Sequence, residues 1–375
     1  MLGISLGSTS DANKIPAATD HSSRKICLPV QTKIQVALLL DTSSSMDGLI
    51  EQTKSQLWQI VNELATARYS GVQPALEIAL YEYGNDGLPH NQGYIRQVLP
   101  FTADLDKLSE ELFKLRTNGG SEYCGQVIDK AVSELSWTNS GSDLKMIYIA
   151  GNEPFNQGTV TYQSACKTAI TKGIVVNTIY CGGSQEGINS LWKDGSDLAD
   201  GKYFNIDQNQ STVYIETPWD EELVKLNDKL NETYVAYGEN GERYRDNQRE
   251  QDQNAGAYGK SNLVNRVASK SSGMYKATGW DLVDATEQES FDLKDVKKDE
   301  LPKEMQNMTE EEQKNYIGAK KKEREEIQNR ISELNKKRTE FIAEKEKELG
   351  GTDNLGNAMK NSVHEIAEKK NYTFE

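Results

Sequence analysis

No run in the 375 residues approaches the roughly 20 apolar positions that a membrane-spanning helix needs. Cysteine is scarce. The four present (Cys27, Cys124, Cys166, Cys181) lack Cys-x-x-Cys spacing, and the three histidines (His21, His90, His364) are scattered, so a zinc site is not expected. Each cysteine reads first as a small buried thiol, with Cys166 and Cys181 able to bridge in an oxidising compartment. Basic charge is in deficit: 43 Lys and Arg against 58 Asp and Glu, a net charge of −15. That balance argues against binding nucleic acid or anionic lipid. The N-terminus is apolar only at Met1, Leu2, Ile4 and Leu6 and has no basic region before it, so as written it is not a signal peptide. The polar run to about Ser23 reads as a flexible leader.

What is present centres on Lys33 to Met46, KIQVALLLDTSSSM. Ile34 to Leu40 is short, apolar apart from Gln35, and ends abruptly at a charge, which predicts a strand buried on both faces of a parallel sheet. Asp41, Ser43 and Ser45 then alternate, so in an extended loop they point the same way, at the carboxyl edge where open α/β sheets bind ligands. One carboxylate and two hydroxyls form a hard, all-oxygen set that suits Mg²⁺, Mn²⁺ or Ca²⁺. The competing reading is a helix N-cap cluster, since Asp, Ser and Thr favour that place.

Behind this loop, strands alternate with helices. Helices are expected over 49–69, 104–116, 123–137, 160–172, 186–199 and 218–238. Strands are expected over 75–83, 94–101 (antiparallel, at the edge), 144–150, 174–180 and 202–205. This is the pattern of an α/β, doubly wound, mostly parallel sheet. The expected organisation is a leader at 1–30, the α/β domain at 31–237, a linker and fold-back segment at 238–300, a charged helical extension at 301–349 and a poorly ordered tail at 350–375. Thr309 followed by Glu312 predicts a capping box for the charged helix, read as packed locally rather than as a coiled coil. Tyr244, Tyr258, Tyr275 and Trp280 read as core or edge packing.

Asp-x-Ser-x-Ser between a buried strand and a helix resembles the metal-ion-dependent adhesion site of von Willebrand factor A domains, and the segment Gly173 to Ile179 is similar to that family's helix–turn–strand entry into the second half of the sheet. The stretches IAGNEPFNQG, TPWDEELVKLNDKLNETYVAYG and LPKEMQNMTEEEQ resemble a group of exported bacterial proteins with this domain. The resemblance implies a three-loop metal site. Asp41, Ser43 and Ser45 form the first loop. A hydroxyl at Ser121 or Thr117 comes from the second. The third, normally an aspartate, reads Gly151 here, so that Asn152 or Glu153 would reach in instead. It implies a weakly held Mg²⁺ (or Mn²⁺ or Ca²⁺) whose open coordination position takes an acidic group of a protein partner. It also implies a periplasmic or cell-surface location, with Met1 an internal start, and C-terminal helices common to the group.

The reading adopted is a non-enzymatic, metal-dependent interaction module. Two alternatives stand beside it: a scaffold that binds through its C-terminal helices, and a metal-assisted hydrolase using Glu153 or Glu122 as base.

Overall fold

The apolar run after Lys33 becomes the central strand of the molecule, seen in a computed structural model that describes residues 32–206, 214–348 and 355–374. The leader expected at 1–30, with Cys27 and His21, lies outside the described residues. In chain order the elements are β1 (Lys33–Asp41), α1 (Ile50–Leu64), β2 (Ala67–Tyr69), β3 (Ala75–Tyr83), β4 (Ile95–Thr102), α2 (Leu105–Lys114), α3 (Cys124–Glu134), β5 (Leu144–Gly151), α4 (Tyr162–Thr171) and β6 (Val175–Cys181). There follow α5 (Ser184–Asn189), α6 (Trp192–Asp197), β7 (Tyr203–Ile206), α7 (Asp220–Asn231), α8 (Gly241–Ala257), α9 (Lys260–Ser271), α10 (Leu282–Ala285), α11 (Glu310–Glu348), α12 (Leu355–Glu368) and β8 (Tyr372–Phe374).

Among the described residues the main sheet has the order β4-β3-β1-β5-β6-β7, and only β4 runs antiparallel. This is the mostly parallel, doubly wound arrangement that the strand pattern predicts, with helices added at its C-terminal side. Both faces of β1 are covered, which is why its alternate residues are equally apolar. Ile34, Val36, Leu38 and Leu40 join a core with α1, α2, α7, α9, α11 and α12, whereas Ala37 and Leu39 join one with α3, α4 and Trp192. Cys166 and Cys181 fall in these two different cores, on opposite faces of the sheet, and both are free thiols. The sheet itself keeps them from bridging.

Several segments depart from the sequence expectation. The helix expected over 49–69 stops at Leu64, and Ala67–Tyr69 pairs antiparallel with β8 instead. The helix expected over 186–199 is split into α5 and α6 at Leu191, which takes a left-handed backbone (φ 73°). The helix expected to Gly238 ends at Asn231. Beyond it the Val235 N–H donates to Asp281 Oδ1, which draws the chain out of the helix. The expected linker is a 17-residue helix, α8, whose buried face is largely polar: Gln248, Gln251 and Asp252 beside Ala255. The expected tail forms α12 and β8.

The charged helix α11 is capped as expected: Thr309 N–H donates to Glu312 Oε2 (2.7 Å) and Glu312 N–H to Thr309 Oγ1 (3.3 Å). It packs locally through Ile327, Ile331 and Leu334, and it is pinned by a buried arginine. Arg324 donates to Asp281 (2.7 Å), Asp284 (2.9 Å) and the Thr233 carbonyl (2.9 Å), and it lies 4.0 Å above the Tyr234 ring. Tyr275 and Trp280 are buried, and Tyr258 stacks on Phe113 at 4.6 Å. Tyr244 is partly exposed and lies under Arg243.

A second buried assembly joins α2 to the added helices. Arg266 donates to Asp106 (2.6 Å) and Asp252 (2.7 Å), and Lys270 to Asp252 (2.8 Å), Asn227 (3.0 Å) and Asn231 (2.6 Å). Tyr275 closes the other side of Asp106. Burial pushes Lys270 down to about 8. Burial would raise Asp252, but the charges of Lys270 and Arg266 outweigh it and hold that carboxyl well below its usual range.

Candidate metal site at the carboxyl edge of the sheet

The parallel register ends β1, β3, β5 and β6 side by side: Asp41 is level with Tyr83, Leu40 with Ala150, and Gly151 with Tyr180. Asp41 is therefore the last residue of the middle strand, 0 % exposed, at the edge where the chain leaves the sheet. Its Oδ1 accepts from the Ser43 N–H at 2.8 Å, a local Asx turn that fixes the loop. Its Oδ2 is buried and has no hydrogen-bond partner. Burial pushes the Asp41 carboxyl up to about 7; Ser43 opposes that shift and the charge of Glu122 adds to it.

The two serines converge as their alternation predicts. Ser43 Oγ and Ser45 Oγ are 2.8 Å apart, and Ser45 Oγ donates to Asn152 Oδ1 at 2.9 Å. Asn152 Nδ2 returns a bond to the Ser45 carbonyl at 3.0 Å. The loop is not an N-cap: Ser43 makes no side-chain cap bond to the short 3₁₀ turn that follows, and α1 begins only at Ile50. The second loop is laid against the first by backbone bonds, Asn118 N–H to the Thr42 carbonyl (2.9 Å) and Gly119 N–H to Ser44 Oγ (2.8 Å).

The remaining candidates are placed unevenly. The Thr117 hydroxyl donates to Asp47, away from Asp41. Ser121 is half-buried on the second loop. Glu153 accepts from Gln157 (3.4 Å) and lines an open groove with Asn152, Asn156, Tyr180 and Glu186. An ideal Cβ on Gly151 would lie 2.6 Å from Tyr83 Oη and 2.9 Å from Asp41 Oδ2, so the position that carries aspartate in the family pattern has no room for a side chain. Glu122, treated at the sequence level only as a candidate base, is buried against this site. Burial raises its carboxyl, and the charge of Glu153 adds to that. Its signal in the sequence was an acid directly after the Gly119-Gly120-Ser121 turn.

Among the described residues no group of three or more His, Cys, Asp or Glu forms a metal cluster. The donors here are a carboxylate with an orphaned oxygen and two hydroxyls, an oxygen set that fits a hard divalent ion. Among the described residues no histidine serves the site: His90 packs edge-on against Tyr94, and His364 bonds Glu63.

Comparison with known proteins places residues 35–217 under the profile of the von Willebrand factor type A domain. No curated protein matches the chain. Solved structures with similar segments include BatB from Bacteroides thetaiotaomicron (17% identity, TM-score 0.36, covering 46% of this chain and 90% of that one). The pilus adhesin SpaC from Lactobacillus rhamnosus GG is another (12%, 0.38, 48% and 29%). A third is proximal thread matrix protein 1 from the mussel byssus, with a zinc-occupied adhesion motif (10%, 0.35, 48% and 43%).

Proposed function

Residues 35–217 being a von Willebrand factor type A domain, we propose that the chain is a non-catalytic protein-interaction module that holds a divalent cation, Mg²⁺ or Mn²⁺ or Ca²⁺, at Asp41, Ser43 and Ser45. The observation that carries this reading is the buried, unpartnered Oδ2 of Asp41 beside a hydroxyl pair at the sheet edge. Leaving a buried carboxylate oxygen unpaired costs about 1–3 kcal/mol or more, and a bound cation offsets that cost. Ser45 and Asn152 lie on the exposed side, where an acidic group of a partner would complete the coordination sphere. The bound ion supplies positive charge to such a group; the chain supplies the fixed oxygens that orient it. Export to the periplasm or cell surface is part of the proposal and rests on the sequence resemblance alone.

The test is thermal melting with and without Mg²⁺, Mn²⁺ and Ca²⁺. Wild type should gain about 2.7 kcal/mol at a hundredfold excess over Kd, and Asp41→Ala should gain nothing. No response from wild type to any of the three ions would defeat the proposal. The scaffold alternative is weakened by the packing of α11 and α12, whose Ile331, Leu334, Met359 and Val363 are buried in the core and not presented outward.

A further inference from the structure

We propose that Glu122 is the second carboxylate ligand of the cation, replacing the charge lost where Gly151 stands; this rests on the metal-site reading above. The backbone is shaped to admit this side chain. An ideal Cβ on Gly84 would lie 2.8 Å from Asp41 Oδ1 and 2.9 Å from Glu122 Cγ, so one methyl group there would touch both acids. An ideal Cβ on Gly120 would lie 2.3 Å from Glu122 Oε1 and 3.2 Å from Ser43 Cβ. Two glycines from different loops thus leave the space through which Glu122 folds back onto Ser43 and Asp41.

Ser43 stands between the two acids: its backbone N–H donates to Asp41 Oδ1 at 2.8 Å, and its Cβ borders the same space at Gly120 that Glu122 Oε1 occupies. Among the described residues neither acid makes an ion pair, and both are at least nine-tenths buried. Two acids buried in one site repel each other unless a cation or a proton lies between them. The usual third-loop aspartate cannot be restored, because its Cβ would collide with Tyr83 Oη and Asp41 Oδ2. Glu122 brings the site from one carboxylate to two, which matches the charge of a divalent ion and tightens its hold.

The test is Mn²⁺ titration by calorimetry, with melting in chelator alongside, on wild type, Asp41→Asn, Glu122→Gln and Glu122→Asp. Glu122→Gln should lose at least about tenfold in Mn²⁺ affinity, and in chelator it should melt at or above wild type, because a like charge has been removed. Glu122→Asp, which keeps the charge on a shorter arm, should retain part of the affinity. If Glu122→Gln binds Mn²⁺ as wild type does while Asp41→Asn does not, Glu122 is no ligand and only the site reading survives. If wild type binds no Mn²⁺, both readings fall together. Lower melting of Glu122→Gln in chelator with unchanged affinity would make Glu122 a structural acceptor for Ser43, and that too overturns the proposal.

Discussion

Asp106 and Asp252 lie buried between helices, with Arg266 and Lys270 bonded to them. Asp41 and Glu122 lie buried at the sheet edge among hydroxyls and glycines, with no cationic side chain bonded to either among the described residues. The cations of Arg266 and Lys270 neutralise the surroundings of the first pair, and its work is to join α2 to α8 and α9. The second pair is left uncompensated by the chain and its carboxyls are raised, the signature expected where a ligand supplies the missing charge. Burial alone does not separate the two. The identity of the nearest counter-charge does.

Breaking the compensated pair should have the largest effect. Arg266→Ala leaves Asp106 and Asp252 buried without their shared guanidinium and should cost about 3–5 kcal/mol in urea unfolding. A loss under about 1 kcal/mol would mean that water or Lys270 takes over, and the contrast between the two pairs would weaken. The effect of pH sharpens the contrast because the two groups have opposite signs. Asp252 is depressed in the folded state, so its contribution is full above the ordinary value of 3.8 and is lost as pH falls below that. Asp41 is raised from 3.8 to about 7, so the unfolded chain ionises first and stability declines as pH climbs through that interval. In chelator the melting temperature should therefore drop between pH 4 and pH 7, and saturating Mg²⁺ should flatten that drop. A profile already flat in chelator would show that Asp41 is not an uncompensated acid. The smallest effect is expected at the surface, where Arg330 bridges α11 to Glu222 of α7 at 2.8 Å with both side chains substantially exposed. Arg330→Ala should leave the urea-unfolding midpoint close to that of wild type, and added salt should shrink even that small difference.

The sheet and its first loop were legible because their signals are local. An apolar run bounded by Asp41 marks a buried strand, and alternation brings Ser43 and Ser45 together. Helix α8 was not legible, because what it buries is Gln248, Gln251 and Asp252, paired to groups on other helices, and a polar buried face has no apolar period. Strands β2 and β8 are three residues each and pair across most of the chain, so neither carries a pattern of its own. At the site, the missing aspartate at Gly151 could be read directly. That Glu122 fills the space could not, since it depends on Gly84 and Gly120 arriving from separate loops. The break at Leu191 is a backbone choice that no residue type there announces.

Tyr372 on β8 hydrogen-bonds the carbonyl of Lys33 at 3.2 Å, 339 positions away, and also that of Ser142 at 3.1 Å. During synthesis, then, the opening strand emerges long before the residue that clasps its base. A ribosome adding about 5–20 residues per second leaves that seam undone for tens of seconds, an interval in which a half-built sheet must be shielded from its neighbours.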